Sequence, residues 1–151
     1  VCKGYYKNPE ATAATMRDGW LLTGDVGYRD EAGFIYLVDR KRDLIITGGF
    51  NVYPGEVEQV IAELPGVLDV SVVGAPDDKW GEAVVAVIAM RGGEQLTQEQ
   101  VIGHCKGRLG SVKAPKRVEF RESLPKSPNG KVLKRKIREE FWSGRGSRLT
   151  A

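Results

Sequence analysis

The chain has 151 residues, 41% hydrophobic and 28% charged, with a net charge of only +3. That is enough for one domain with its own core, and it excludes a polyelectrolyte or a low-complexity chain. The longest apolar run, Ala83 to Met90, has strand length and falls far short of the roughly 20 residues that cross a bilayer as a helix. Cys2 and Cys105 show neither metal-ligand spacing nor a disulfide framework, which predicts no metal centre and a reducing, cytoplasmic setting. No secretory leader is visible, and a chain that begins at Val1 rather than Met is expected to be a piece of a longer protein.

In chain order, Asn8-Pro9-Glu10 offers a turn and a helix start. Trp20-Leu21-Leu22 and Val26-Gly27-Tyr28 flank a Thr23-Gly24-Asp25 turn. Asp30 to Gly33 then loops into Phe34-Ile35-Tyr36-Leu37-Val38, a strand apolar on both faces that calls for cover on both. A charged junction follows, Asp39 to Asp43, which cannot be buried cheaply and belongs at a surface or between two bodies. Leu44 to Ile46, Gly48-Gly49 and Asn51-Val52-Tyr53 read as a hairpin with a glycine turn, and Pro54 sits well at a first helical position.

Val57, Val60, Ile61 and Leu64 form one helical stripe that Pro65-Gly66 stops. Leu68, Val70 and Val72 alternate with Asp69 and Ser71, which predicts a half-buried strand, and Ala75-Pro76-Asp77-Asp78 predicts a turn. Ala83 to Met90 reads as a central strand covered on both sides. Thr97 and Gln100 predict a capping box, with Ile102, Cys105 and Leu109 as that helix's buried stripe. Arg117 to Arg121 is a short strand, and Leu133, Ile137 and Phe141 line a last amphipathic helix. The tail 143–151 is expected to be disordered. The order β, α, β, β, α, β, α predicts a small α+β domain.

Several residues could carry chemistry, each with a plainer alternative. The two oxygens of the Asp25 carboxylate suit a cis-diol such as a ribose, or simply close a turn. Gly48-Gly49 lets a narrow ligand approach the backbone, or only supplies positive φ. Pro125, Pro128, Asn129 and Gly130 build a stiff arm that holds Lys131 outward, a point charge suited to phosphate or carboxylate oxygens, yet one lysine among several. His104 reads as structural. From Ser111 to Trp142 there are ten Lys or Arg against four Glu, a patch open to nucleic acid, an anionic ligand or solvent.

Three ordered segments resemble the motifs of the acyl-adenylate-forming (AMP-binding) enzymes: Thr23-Gly24-Asp25, DRKRDLIITGGFNVYPGEVE (39–58) and LPKSPNGKVLKRKI (124–137). The resemblance is to the C-terminal portion of an acyl-CoA synthetase of that superfamily. One departure is Asp39, which stands where most of the family has Gly. The resemblance implies that Asp25 and Arg40 hold the ribose of ATP and AMP, and that Arg42 is the hinge whose φ/ψ absorbs a domain rotation. It also implies that Gly48 and Gly49 line the pantetheine tunnel, and that Lys131 bridges the substrate carboxylate and the α-phosphate. Glu56 matches the acidic position of the pattern and equally suits the first turn of a helix.

By the same resemblance, residues 1–41 are the end of a large N-terminal domain, ending in a β-hairpin. Residues 42–142 are the small mobile domain, with a short hairpin and a three-stranded sheet flanked by helices. The implied enzyme uses ATP, Mg²⁺ and CoA to turn a carboxylic acid into its CoA thioester, releasing AMP and pyrophosphate. Its partner is the N-terminal domain of the same protein, whose phosphate loop and acyl pocket this chain does not hold, so the chain alone is expected to be inactive. Two rival readings are an adenylation domain that loads a carrier protein and a small basic nucleic-acid-binding module. No aromatic RNA-binding motif or helix-turn-helix pattern supports the second.

Overall fold

The computed structural model describes residues 2–93 and 95–143, so the expected tail lies outside the described residues from position 144 onward. The chain divides into two compact units, the first ending at Arg42 and the second beginning at Asp43.

The first unit opens with helix α1 (Pro9–Thr15), capped by the Asn8 side chain, which accepts from the Ala11 N–H. Short strands β1 (Met16–Arg17) and β2 (Trp20–Leu21) pair with each other. Strands β3 (Asp25–Arg29) and β4 (Ile35–Arg40) form an antiparallel hairpin with a bulge between Val26 and Gly27. Tyr28 and Tyr36 stack across the two strands, ring centroids 5.0 Å apart. Ile35 and Leu37 on one face of β4 are 73% and 72% exposed, and Phe34 just before the strand is 66% exposed. Lys41–Asp43 then makes one 3-10 turn.

The second unit is built around β8 (Gly81–Met90), which pairs along its length with β7 (Val67–Asp77) in antiparallel register. Its other side is shared. Strand β5 (Ile45–Thr47) meets it only at Thr47 opposite Gly81, and β9 (Arg117–Arg121) runs parallel to it from Val85 to Ala89. Beyond β5 lies β6 (Phe50–Val52). The expected hairpin and three-stranded sheet are therefore one five-stranded sheet. Ile45 and Val52, both buried in the main core, bring the hairpin onto the sheet's edge.

Residues 83 to 89 of β8 are all buried, and alternate side chains enter two different cores. Val84, Ala86 and Ile88 meet Val57 and Ile61 of α2 (Pro54–Ala62) and Val101 and Cys105 of α3 (Gln98–Lys113). Val85, Val87 and Ala89 join Leu124 and Ile137, the latter from α4 (Lys134–Trp142). Each buried Val or Ile among them contributes about 1.5–3 kcal/mol by leaving water. The expected capping box is present: Gln100 N–H donates to Thr97 Oγ1 at 3.2 Å and Thr97 N–H to Gln100 Oε1 at 2.8 Å. Gly110 (φ 79°) breaks α3 before its last turn.

Strand β7 departs from expectation twice. A register shift between Val67 and Asp69 turns Leu68 out to 53% exposure, while Ser71 is buried, so the strand is covered on both faces rather than alternating. Pro76 lies within the strand opposite Glu82, and the turn comes after Asp77. Proline is tolerated there because β7 is an edge strand, where a missing N–H breaks no ladder. Side chains guard the same strand: Glu58 Oε1 accepts from the Val72 N–H at 2.7 Å, and Trp142 Nε1 donates to the Gly74 carbonyl at 2.9 Å. Groups occupied in this way cannot recruit a foreign strand.

Candidate active-site elements

In the first unit the β3–β4 register sets Asp25 opposite Arg40, and Arg40 Nε lies 3.6 Å from Asp25 Oδ1. The preceding turn is held by Thr23 Oγ1, which accepts from the Asp25 N–H at 3.1 Å, and by Gly24 at φ 77°. The Gly24 carbonyl accepts from the Lys41 N–H at 2.8 Å, which closes the end of the hairpin. One carboxylate oxygen faces the guanidinium, and the side chain stays partly open to solvent, so acceptor capacity remains for a polyhydroxy ligand. Two residues singled out separately in the sequence thus form one pair. Arg42, in the 3-10 turn, is the last residue of the first unit.

In the second unit Gly48 and Gly49 form the two-residue turn between β5 and β6, with φ of 57° and 84°. Positive φ at both central positions is the turn geometry that suits strand twist in a tight hairpin. Gly48 is required twice over, because a Cβ there would lie 2.5 Å from the Trp80 ring. Its N–H donates to the Trp80 carbonyl at 2.8 Å. A Cβ at Gly49 would meet nothing within 4 Å, so this residue borders open space. Glu56 lies in the first turn of α2 and binds Lys113 Nζ at 2.7 Å, a helix-start residue that also ties α2 to α3.

Lys131 stands on a short hairpin arm. Lys126 bridges to Val132, the Ser127 N–H donates to the Lys131 carbonyl at 2.8 Å, and the Ser127 hydroxyl accepts from the Lys131 N–H at 3.2 Å. Gly130, at φ 81°, makes the turn. Both ends of the arm are fastened. Lys126 Nζ lies 2.7 Å from Asp69 of β7, and Lys134 Nζ lies 2.9 Å from Glu58 of α2. Among the described residues nothing pairs with Lys131 Nζ, and the residue is exposed. The backbone beneath this cation is fixed while its charge is left available.

The basic stretch 111–142 is largely neutralised by the fold. Seven of its ten cations, Lys113, Arg117, Arg121, Lys126, Lys134, Arg135 and Arg138, sit in ion pairs with Asp or Glu. This is not an open phosphate-binding stripe of the kind nucleic acid requires. His104 lies 3.5 Å from Glu63, beside the α2–α3 contact. Burial raises the Cys105 thiol to about 11, which leaves it unreactive. Among the described residues no three His, Cys, Asp or Glu side chains gather as metal ligands.

Residues 56–131 match the family described as the AMP-binding enzyme C-terminal domain. This chain belongs to that family. Among its relatives, a long-chain-fatty-acid–CoA ligase of Bacillus subtilis (strain 168) is 47% identical over 140 residues, covering 93% of this chain and 25% of that protein. The medium/long-chain-fatty-acid–CoA ligase FadD8 of Mycobacterium tuberculosis is 50% identical over 151 residues, covering 95% and 26%. The crystal structure of ATP-bound MatB from Rhodopseudomonas palustris superposes with a TM-score of 0.84 at 42% identity, covering 92% of this chain and 28% of that one. The chain thus spans about a quarter of the length of the curated relatives it matches. No helix among the described residues is long and apolar enough to cross a membrane.

Sequence reasoning missed Trp80 and Glu82. A local signal existed for the first, a lone tryptophan in a polar turn, but its contact with Gly48 is long-range and invisible in spacing.

Proposed function

We propose that this chain comes from the C-terminal portion of an ATP-dependent acyl-CoA ligase. In the whole enzyme the substrate carboxylate attacks the α-phosphate of ATP, pyrophosphate leaves, and an acyl-adenylate forms. The sulfur of CoA then attacks the acyl carbon, forming the thioester, and AMP departs with the electron pair of the broken C–O bond. Lys131 supplies a cation between carboxylate and α-phosphate in the first step, where two anions must meet. Asp25 and Arg40 hold the ribose. Gly48 and Gly49 line the passage for the thiol arm, and Arg42 is the hinge between the two working orientations.

The observation that carries this reading is the arm itself: a lysine whose backbone N–H and carbonyl are both bonded and whose ammonium pairs with nothing among the described residues. Preorganised charge of this kind is what transition-state stabilisation asks for. The open space at Gly49 supports the tunnel role. In the full-length enzyme, Gly49→Leu should keep ATP–pyrophosphate exchange and block thioester formation from supplied acyl-adenylate. Thioester formation at the wild-type rate would contradict the reading. The chain alone should show no exchange with any carboxylic acid; exchange above background from the pure chain would contradict that.

A further inference from the structure

The half-buried carboxylate at the start of β8 has no part in the chemistry above. Strand β5 meets β8 at one ladder pair, Thr47 with Gly81, and β9 takes that side of β8 from Val85 onward. The next donor along β5, the Ile46 N–H, therefore finds no strand to bond. Glu82 Oε2 accepts from it at 2.9 Å and stands in for the missing ladder acceptor. The other oxygen, Oε1, accepts from Arg138 Nη2 of α4 at 2.8 Å.

The surroundings are shaped for this carboxylate, whose side chain is only 15% exposed. A Cβ at Gly74 would lie 2.8 Å from Oε2, so glycine there keeps the space open. The Arg138 guanidinium stands 5.3 Å from the centre of the Trp142 ring, and that indole is itself bonded to Gly74. Residues 46, 47 and 48 are thus held in turn by residues 82, 81 and 80. A half-buried ion pair is a poor source of stability, because desolvation offsets its attraction. What it does provide is a fixed geometry two residues before the glycine turn.

We propose that Glu82 is a positioning residue for the Gly48-Gly49 loop, setting the wall along which a thiol arm passes. The proposal rests on the tunnel reading of that loop. A narrow passage tolerates little displacement, so freeing Ile46 slows thiol transfer and leaves adenylation alone.

The test uses the full-length enzyme, with each half-reaction assayed separately and amide hydrogen exchange followed at Ile46 and Gly48. Glu82→Ala is expected to slow thioester formation about tenfold, hold ATP–pyrophosphate exchange within about twofold, and speed exchange of both amides. Arg138→Gln breaks the ion pair but keeps the Ile46 bond, so transfer stays within about threefold of wild type. If the alanine variant does not fold, Glu82→Gln gives the same signature at smaller amplitude, because the amide turns an oxygen toward one of the two donors and an NH2 toward the other. Equal slowing of both half-reactions, unchanged amide exchange, or an Arg138→Gln variant as impaired as Glu82→Ala overturns the proposal. If Gly49→Leu leaves transfer intact, the tunnel reading falls, while the amide-exchange result still decides whether Glu82 holds the loop.

Discussion

Arg40 Nε lies 3.6 Å from Asp25 Oδ1 across the β3–β4 pair, so the two residues form a single polar unit fixed by strand register. In the proposed ribose role, the Asp25 carboxylate accepts from two hydroxyl groups. Hydrogen bonds to a charged group contribute about 1.5–3 kcal/mol. In the full-length enzyme Asp25→Ala should therefore weaken ATP binding about ten- to a hundredfold. It should also erase any preference for ATP over 2′-deoxy-ATP. Calorimetric titration with both nucleotides checks this, and a variant that still discriminates between them would remove the ribose role.

Glu58 does two jobs, accepting from the Val72 N–H and pairing with Lys134. Glu58→Ala leaves an edge-strand donor and an arm lysine without their partner. Loss of such an acceptor costs about 1–3 kcal/mol, to be read as a lower urea midpoint with an unchanged slope. The uncovered strand edge should also promote concentration-dependent association, visible by sedimentation. An unaltered midpoint would show that the carboxylate carries no net stability.

Much of this architecture was legible in the sequence because local chemistry decides it. Pro54 with its apolar stripe, the Thr97–Gln100 box and the apolar run at 83–90 each specify their element without help from elsewhere. The misses share one cause. Whether Leu68 points in or out depends on a bulge set by pairing with β8, and Pro76 is acceptable only because β7 has no outer neighbour. The joining of hairpin to sheet depends on buried Ile45 and Val52, and the tie from Glu82 to Ile46 spans 36 positions. The motif residues stood out only through family resemblance, since one Asp, two Gly and one Lys have plain structural roles available to them.

Burial raises the Cys105 thiol from its ordinary 9.0 to about 11. A group whose folded pKa exceeds its unfolded value contributes stability that is full below the unfolded value and is lost as pH rises through the folded one. The second unit should therefore lose stability between about pH 9 and pH 11, and Cys105→Ala should flatten that part of the profile. Denaturant titrations across this range check it. In the native protein a thiol reagent should label exposed Cys2 and spare Cys105.

On its braced arm, Lys131 is proposed to serve adenylation alone. The measurement is Lys131→Ala in the full-length enzyme, with ATP–pyrophosphate exchange and thioester formation from supplied acyl-adenylate assayed separately. Loss of a preorganised charge from a transition state costs about 3–4 kcal/mol, on the order of a hundredfold to a thousandfold in rate. Exchange should fall by that factor while thioester formation stays near the wild-type rate. Equal slowing of both steps in a folded Lys131→Ala protein would rule out a role confined to adenylation.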